Sequence, residues 1–207
     1  VSVIECRTNE EQAISAARDA ISRGELIVLP TDTVYGVGAD PFSVAAVNTL
    51  LTAKGRGREK PSPVLVASLD DARRLAAVIT PQAQALMEAF WPGALTVVVP
   101  ARPEIGWDLG ETNGTVALRM PDDAFARKLL TELGPLAVSS ANLTGHAPAL
   151  TVADAQRQLG SRVAVYLDGG QSRGGEPSTV VIVGETLTVV REGAIAADAV
   201  VGVAAGN

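Results

Sequence analysis

The chain has 207 residues, enough for one sizeable hydrophobic core. Its hydrophobic content of 47% and charged content of 19% exclude a disordered chain, and no apolar run reaches the length needed to span a bilayer. A net charge of −6 argues against whole-surface attraction to nucleic acid or anionic membrane, and one cysteine, Cys6, allows neither an internal disulfide nor a cysteine cluster for zinc.

The N-terminal VSVIECRTNEEQ lacks the basic flank and long apolar core of a signal peptide, so a soluble cytoplasmic protein is expected. Residues 1 to 6 alternate weakly, as a short strand does. Asn9 to Arg23 predicts a helix capped by Asn9, with Ala13, Ile14, Ala17 and Ile21 on one face and Gly24 as its stop. The stretch ELIVLPTDTVYGVGADP, residues 25 to 41, follows. Its apolar run, Leu26 to Leu29, reads as a buried strand that Pro30 ends. Thr31, Asp32 and Thr33 then deliver oxygen-bearing side chains at the strand end, where open α/β sheets bind ligands. Gly36 and Gly38 are expected to supply backbone freedom in a turn that leads to a helix.

Residues 43 to 54 predict a second helix capped by Ser43. It runs into KGRGREKPSPVLVAS, where Lys54, Arg56, Arg58 and Lys60 are opposed only by Glu59. A loop with that composition suits phosphate oxygens, although a charge run on its own reads more simply as solvated surface. It is not a Walker loop, because the glycine-lysine-hydroxyl pattern is absent. Val64 to Val66 is a strand that anchors the loop. Residues 69–78 and 81–90 predict helices, Pro81 suiting a first turn. Trp91 reads as a packing anchor, and with 3% aromatics the chain is poorly supplied for stacking on bases.

Leu95 to Val99 predicts a strand, 101–114 a loop, and TVALRMP (115–121) a short strand carrying Arg119. A buried guanidinium demands a carboxylate, which either the protein or a substrate can supply. A helix over 122–133 stops at Gly134. The strand Leu136 to Val138 runs into SSANLTG (139–145), a second strand ending in small polar groups. Two such ends on one sheet suggest a shared pocket. His146 stands alone and receives no role. A helix over 151–160, a strand over 163–167, a flexible loop over 168–178 and a hairpin around Gly184-Glu185-Thr186 complete the pattern. The tail after Ile195 is small, apolar and without a motif.

Taken together, PTDTVYGVGAD (30–40), KGRGREKP (54–61), WPGALTVV (91–98), TVALRMP (115–121), SSANLTG (139–145), PSTVV (177–181) and VVREG (189–193) resemble the YrdC-like family, the threonylcarbamoyl-AMP synthases of tRNA modification. The resemblance implies a single YrdC-like domain over 1–207, with its core over about 8–195 and a short C-terminal tail: the short form, without the extra C-terminal domain of longer relatives. The implied fold is α/β, an open twisted mixed sheet with flanking helices around a large concave pocket.

The implied reaction joins L-threonine, bicarbonate or CO2, and ATP into threonylcarbamoyl-AMP and pyrophosphate. Mg2+ would arrive with ATP, held by phosphates and water, and no residue is assigned as a protein metal ligand. By position, the resemblance places Thr33, Tyr35, Arg119 and Ser178 around L-threonine. It places Lys54, Arg56 and Lys60 on the phosphates, the first two as catalytic groups, and Thr115, Ser140, Asn142 and Arg191 on the adenylate. Downstream partners would be the threonylcarbamoyl-transferase proteins acting on tRNA, with weak RNA contact and no membrane. Two alternatives stay open: an RNA-binding member of the family, or one that adenylates another carbamoyl group. Leu65 departs from the histidine that many relatives carry near the threonine, and Pro148 and Ala149 stand where a small hydroxyl is common.

Overall fold

The computed structural model describes residues 1–206. Ten strands form one mixed sheet: β1 (Ser2–Glu5), β2 (Ile27–Leu29), β3 (Gly36–Ala39), β4 (Val64–Leu65), β5 (Leu95–Pro100), β6 (Thr115–Arg119), β7 (Leu136–Ser140), β8 (Val165–Asp168), β9 (Thr179–Val183) and β10 (Leu187–Arg191). Their order across the sheet is β1-β8-β2-β3-β7-β4-β6-β5-β9-β10. Four pairings are parallel, β1 and β2 each with β8, β4 with β6, and β5 with β9. The others are antiparallel.

Helices α1 (Glu10–Ser22), α2 (Val44–Ala53), α3 (Leu69–Leu75), α4 (Pro81–Phe90), α5 (Ala124–Leu133), α6 (Val152–Leu159) and α7 (Ala197–Ala204) flank the sheet. Five of their starts carry side-chain caps, whereas Asn9, expected to cap α1, makes no side-chain cap bond. The side chains of Ser43, Ser68, Thr80, Asp123 and Thr151 each accept a hydrogen bond from the backbone N–H three residues on, satisfying a donor that the helix leaves free.

Strand alternation decides which face each residue serves. In β2 and its approach, Leu26 and Val28 pack with Val47 and Leu50 of α2 and Leu159 of α6. Ile27 and Leu29 pack on the other face, with Ala13 and Ala17 of α1 and Phe125 and Leu129 of α5. That second cluster draws on β2, β4, β7 and β8 and takes no residue from β5, β6, β9 or β10. There the same face carries Thr96, Val98, Thr115, Ala117, Arg119 and Val180, which line a cavity of about 350 Å³ whose wall holds strand and loop residues only. The site thus lies where α1 and α5 stop covering the sheet.

Two elements correct the sequence reading. Gly36–Ala39 is not a turn into a helix but strand β3, antiparallel to both β2 and β7. Neither Gly36 nor Gly38 has a left-handed φ. Gly36 is required by space instead, because a Cβ there would lie 2.5 Å from Val138 Cγ1 on the neighbouring strand. The tail after Ile195 folds as α7 and buries Val200 in the core beside α4.

Candidate active site

The turn after β2 builds one wall. With Pro30 closing the strand, Thr31 Oγ1 donates to Val34 O at 2.7 Å and lies 3.1 Å from Thr33 Oγ1. Ser172, in the loop after β8, braces this turn by donating to Thr33 O at 2.6 Å. Arg119, at the end of β6, is 7% exposed, and each of its three nitrogens donates one hydrogen bond to the protein. Its Nε donates to Gly93 O at 2.9 Å, Nη1 to Thr33 Oγ1 at 3.0 Å and Nη2 to Asp32 Oδ1 at 2.6 Å. The sequence left its partner open, and the partner is Asp32. A substrate carboxylate must therefore share a guanidinium that already holds one.

Ser178 enters from the residue before β9. Its Oγ lies 2.8 Å from Thr96 Oγ1, and its carbonyl accepts from Arg191 Nε at 3.1 Å and Nη2 at 2.7 Å. Arg56 reaches the opposite wall, where Nη1 donates to Ser139 Oγ at 2.8 Å. Thr115 Oγ1 donates to Thr112 O at 2.7 Å, tying β6 to the 106–114 loop whose Leu109 and Thr112 also line the cavity. Lys60, Leu65 and Ser140 complete the relevant lining.

Electrostatics give this wall its character. Arg56, Lys60, Arg119 and Arg191 line the cavity, and no Asp or Glu does, although the chain as a whole is acidic. Burial pushes the pKa of Arg56, Arg119 and Arg191 below the usual value; at Arg119 the Asp32 carboxylate opposes this, and Arg191 adds a lesser repulsion at both Arg56 and Arg119. Arginines stay charged under such pressure; Arg119 is paired with Asp32, whereas Arg56, Lys60 and Arg191 form no ion pair among the described residues and hold charge that an anion would relieve.

Three expected residues stand differently. Lys54 is 2% exposed and does not line the cavity. Its ammonium donates to the carbonyl of Ser140 and, at 2.6 Å, to that of Asn142, because the C-terminus of α2 abuts the end of β7. Burial first, and Arg56 second, lower its pKa to about 8. Asn142 lies behind the wall as well, its Nδ2 donating to Leu143 O and His146 O. Tyr35 contributes to the lining, but its hydroxyl is spent on the carbonyl of Gly170 and the N–H of Gly169, and burial raises its pKa. Arg58 points outward to Asn48 and Asp108.

The sequence reading put Asp32 and Ser139 at polar strand ends of a shared pocket but assigned neither a contact, and it gave no site role to Thr96 or the 109–112 segment. Asp32 carried a signal, as the lone carboxylate of a polar turn after a buried strand. The others depend on contacts between distant segments.

Residues 19–193 match the Sua5/YciO/YrdC family model, whose description reads "Telomere recombination". A Mycobacterium tuberculosis (strain H37Rv) protein, provisionally named threonylcarbamoyl-AMP synthase, is 48% identical over 197 residues, covering 94% of this chain and 91% of its own. The chain belongs to the Sua5/YciO/YrdC family. Another similar member is the Bacillus subtilis threonylcarbamoyl-AMP synthase, 36% identical over 90% of this chain. The crystal structure of Pyrococcus abyssi Sua5 complexed with L-threonine superposes with a TM-score of 0.91 at 32% identity over 98% of this chain. This chain spans only 54% of the Bacillus member and 61% of the Pyrococcus one. The open mixed α/β sheet with flanking helices is the fold of the Sua5/YciO/YrdC family. Among the described residues no helix is long and apolar enough to cross a membrane, and no group of three or more His, Cys, Asp or Glu is placed to hold a metal ion.

Proposed function

We propose that the chain synthesises threonylcarbamoyl-AMP and pyrophosphate from L-threonine, bicarbonate or CO2, and ATP. The observation that carries this reading is the cavity wall with four cationic side chains and no carboxylate on an acidic chain. The reaction brings two anions together, a carbamate and a polyphosphate, and a wall of fixed cations lowers the cost of doing so.

The amine of threonine adds, in its neutral form, to CO2 and gives a carbamate and a proton. A carbamate oxygen attacks the α-phosphorus, and the bond to the pyrophosphate oxygen breaks. Positioning and charge stabilisation supply most of the catalysis in such a transfer, with no covalent protein intermediate. Arg119, Thr33 and Ser178 form the end assigned to threonine, its carboxylate sharing the Arg119 fork. Arg56 and Lys60 face the phosphates. Arg191, Thr115 and Ser140 take the adenylate. Lys54 and Asn142 act from behind this wall, holding the end of β7 in place. Magnesium enters as the ATP complex, carried by phosphate and water oxygens, in keeping with a wall that offers cations and hydroxyls rather than carboxylates.

The product passes to the threonylcarbamoyl-transferase proteins that act on tRNA, which with ATP as substrate places the reaction in the cytoplasm. Pyrophosphate release from ATP tests the function. It is expected to require both L-threonine and bicarbonate. Release that ignores either one would overturn the proposal.

A further inference from the structure

Among the described residues, four buried side-chain polar atoms lack a hydrogen-bond partner: Arg56 Nε, Ser62 Oγ, Arg127 Nε and Asn142 Oδ1. Arg56 and Ser62 both line the cavity, and Ser62 is only 3% exposed. An unpaired buried hydroxyl is costly, so one in a binding cavity calls for a partner that arrives with the ligand.

Strand register places this hydroxyl. Val64 pairs with Ala137 and Leu65 with Leu136, antiparallel. Val138 N donates to Pro63 O at 2.8 Å, so the pairing runs on past β4 and sets Ser62 opposite Ser139. Directly opposed residues project to one face, here that of Val64 and Ala137, and both serines reach the cavity where it turns round this strand end. Ser139 Oγ is the group that accepts Arg56 Nη1. Ser62, Ser139 and Arg56 therefore converge on one strand end. The unpaired atoms of Ser62 and Arg56 can both donate, which suits an anionic oxygen. Leu65 lies opposite Arg119, three residues further along. That separation is about 10 Å of extended backbone.

We propose that Ser62 is a further substrate-contacting residue, its hydroxyl donating to a non-bridging phosphate oxygen of the nucleotide beside Arg56 Nε. This assignment rests on the function proposed above and deepens it.

Titration calorimetry of wild type, Ser62→Ala and Ser62→Thr with ATP and with inorganic pyrophosphate, threonine absent, tests it. Ser62→Ala is expected to weaken both ligands about tenfold, the scale of one hydrogen bond to a charged group, and Ser62→Thr to recover most of the loss. The ligand-free melting temperature of Ser62→Ala should equal or exceed that of wild type, since no hydrogen bond is lost from the free protein and an unpaired buried hydroxyl is removed. In turnover, KM for ATP rises and KM for threonine stays. Equal affinities in wild type and Ser62→Ala overturn the assignment. So does a loss accompanied by a matching fall in ligand-free melting, or one confined to threonine. Wild type that binds ATP and pyrophosphate yet forms no threonylcarbamoyl-AMP refutes the proposed reaction and leaves Ser62 to the titrations. Wild type that binds neither refutes both.

Discussion

Arg119 and Asp32, 87 residues apart in sequence, form an ion pair at 2.6 Å at the mouth of the polar turn, with side-chain exposures of 8% and 15%. Asp32 Oδ1 also accepts the backbone N–H of Asp122 at 3.0 Å, so the carboxylate ties β6 and its exit to the turn after β2. Arg119 consequently serves the fold before any ligand arrives.

A double effect follows. Arg119→Lys keeps the charge but cannot reach Gly93, Thr33 and Asp32 at once. Leaving Asp32 with a weakened partner is expected to cost about 3 kcal/mol, or roughly 6–12 °C of melting temperature for a chain of this size. The same variant should raise KM for threonine while ATP affinity stays near wild type. Thermal unfolding of the ligand-free variant beside threonine titrations of activity checks both arms. Unchanged melting would show that the ion pair does not support the fold.

The basic loop divides between its two arginines. Arg56 projects to Ser139 at the cavity wall, whereas Arg58 is held outside by Asn48 and Asp108. Arg56→Ala should weaken ATP binding about tenfold or more, by loss of a charge-assisted contact. Arg58→Ala removes a surface pair and should change affinity less than about threefold. Calorimetric titration with a non-hydrolysable ATP analogue reads the contrast. Equal losses in the two variants would return the loop to a general electrostatic role.

Much of the scaffold was legible because its determinants are local. The hydroxyl cap at Ser43, Pro81 in a first helical turn and Gly134 at a stop with φ 87° act within a few residues, whereas Asn9, read as the cap of α1, makes no side-chain cap bond. The apolar run into β2 likewise announces a buried strand. β3 was opaque, because GVGA alternates glycine with small apolar residues rather than polar with apolar and holds one β-branched residue, and its glycines answer to Val138 across the sheet. α7 lacked a polar face to mark a helical period. At the site, residue types were readable and directions were not. Lys54 and Arg56 are two positions apart, yet one ends under the wall and the other in it, decided by how the end of α2 meets β7.

The glycines of β3 provide a test of that packing. A Cβ at Gly36 would lie 2.5 Å from Val138 Cγ1, whereas one at Gly38 meets Leu29 and Val138 at 3.4 Å. Gly36→Ala should cost about 1–3 kcal/mol through overpacking beside a stiff side chain, and Gly38→Ala distinctly less. Melting temperatures would separate them by several degrees. Pairing Gly36→Ala with Val138→Ala should recover part of the loss, and no recovery would point away from this contact.

Lys54 gives stability a pH dependence of defined sign. Its pKa falls from 10.5 when exposed to about 8 in the folded protein. Between those values the unfolded chain holds the proton and the folded one does not, so stability from this group rises with pH across that window. Below pH 8 both states are protonated and the burial cost of the charge is carried in full. Lys54→Met removes the titration. The melting temperature of wild type minus that of Lys54→Met should therefore climb from pH 7.5 to 10.5 and level off at either side. A flat difference would mean that the carbonyls of Ser140 and Asn142 hold the ammonium charged throughout.

Substrate choice rests on hydroxyls already arranged. Thr33 Oγ1 is committed to Arg119 Nη1 and Thr31 Oγ1, and Ser178 Oγ to Thr96 Oγ1, with Arg191 Nη2 at 3.3 Å. If L-threonine offers its hydroxyl here, L-valine presents a methyl group of the same shape. A site whose polar groups are left wholly unpaired by such a swap discriminates by about 10⁴–10⁵-fold. Here Thr33 and Ser178 keep their protein partners when the substrate hydroxyl is missing, so only part of that penalty applies. The expected preference for threonine over valine is therefore about a hundredfold in kcat/KM. Thr96→Val removes one partner of Ser178 Oγ and leaves Arg191 Nη2 at 3.3 Å, so the hydroxyl proton is left to find its acceptor on the substrate, which should sharpen the preference. Rates of adenylate formation with the two amino acids, in wild type and in Thr96→Val, measure both effects. Similar rates in wild type would exclude a hydroxyl-reading site at this end of the cavity.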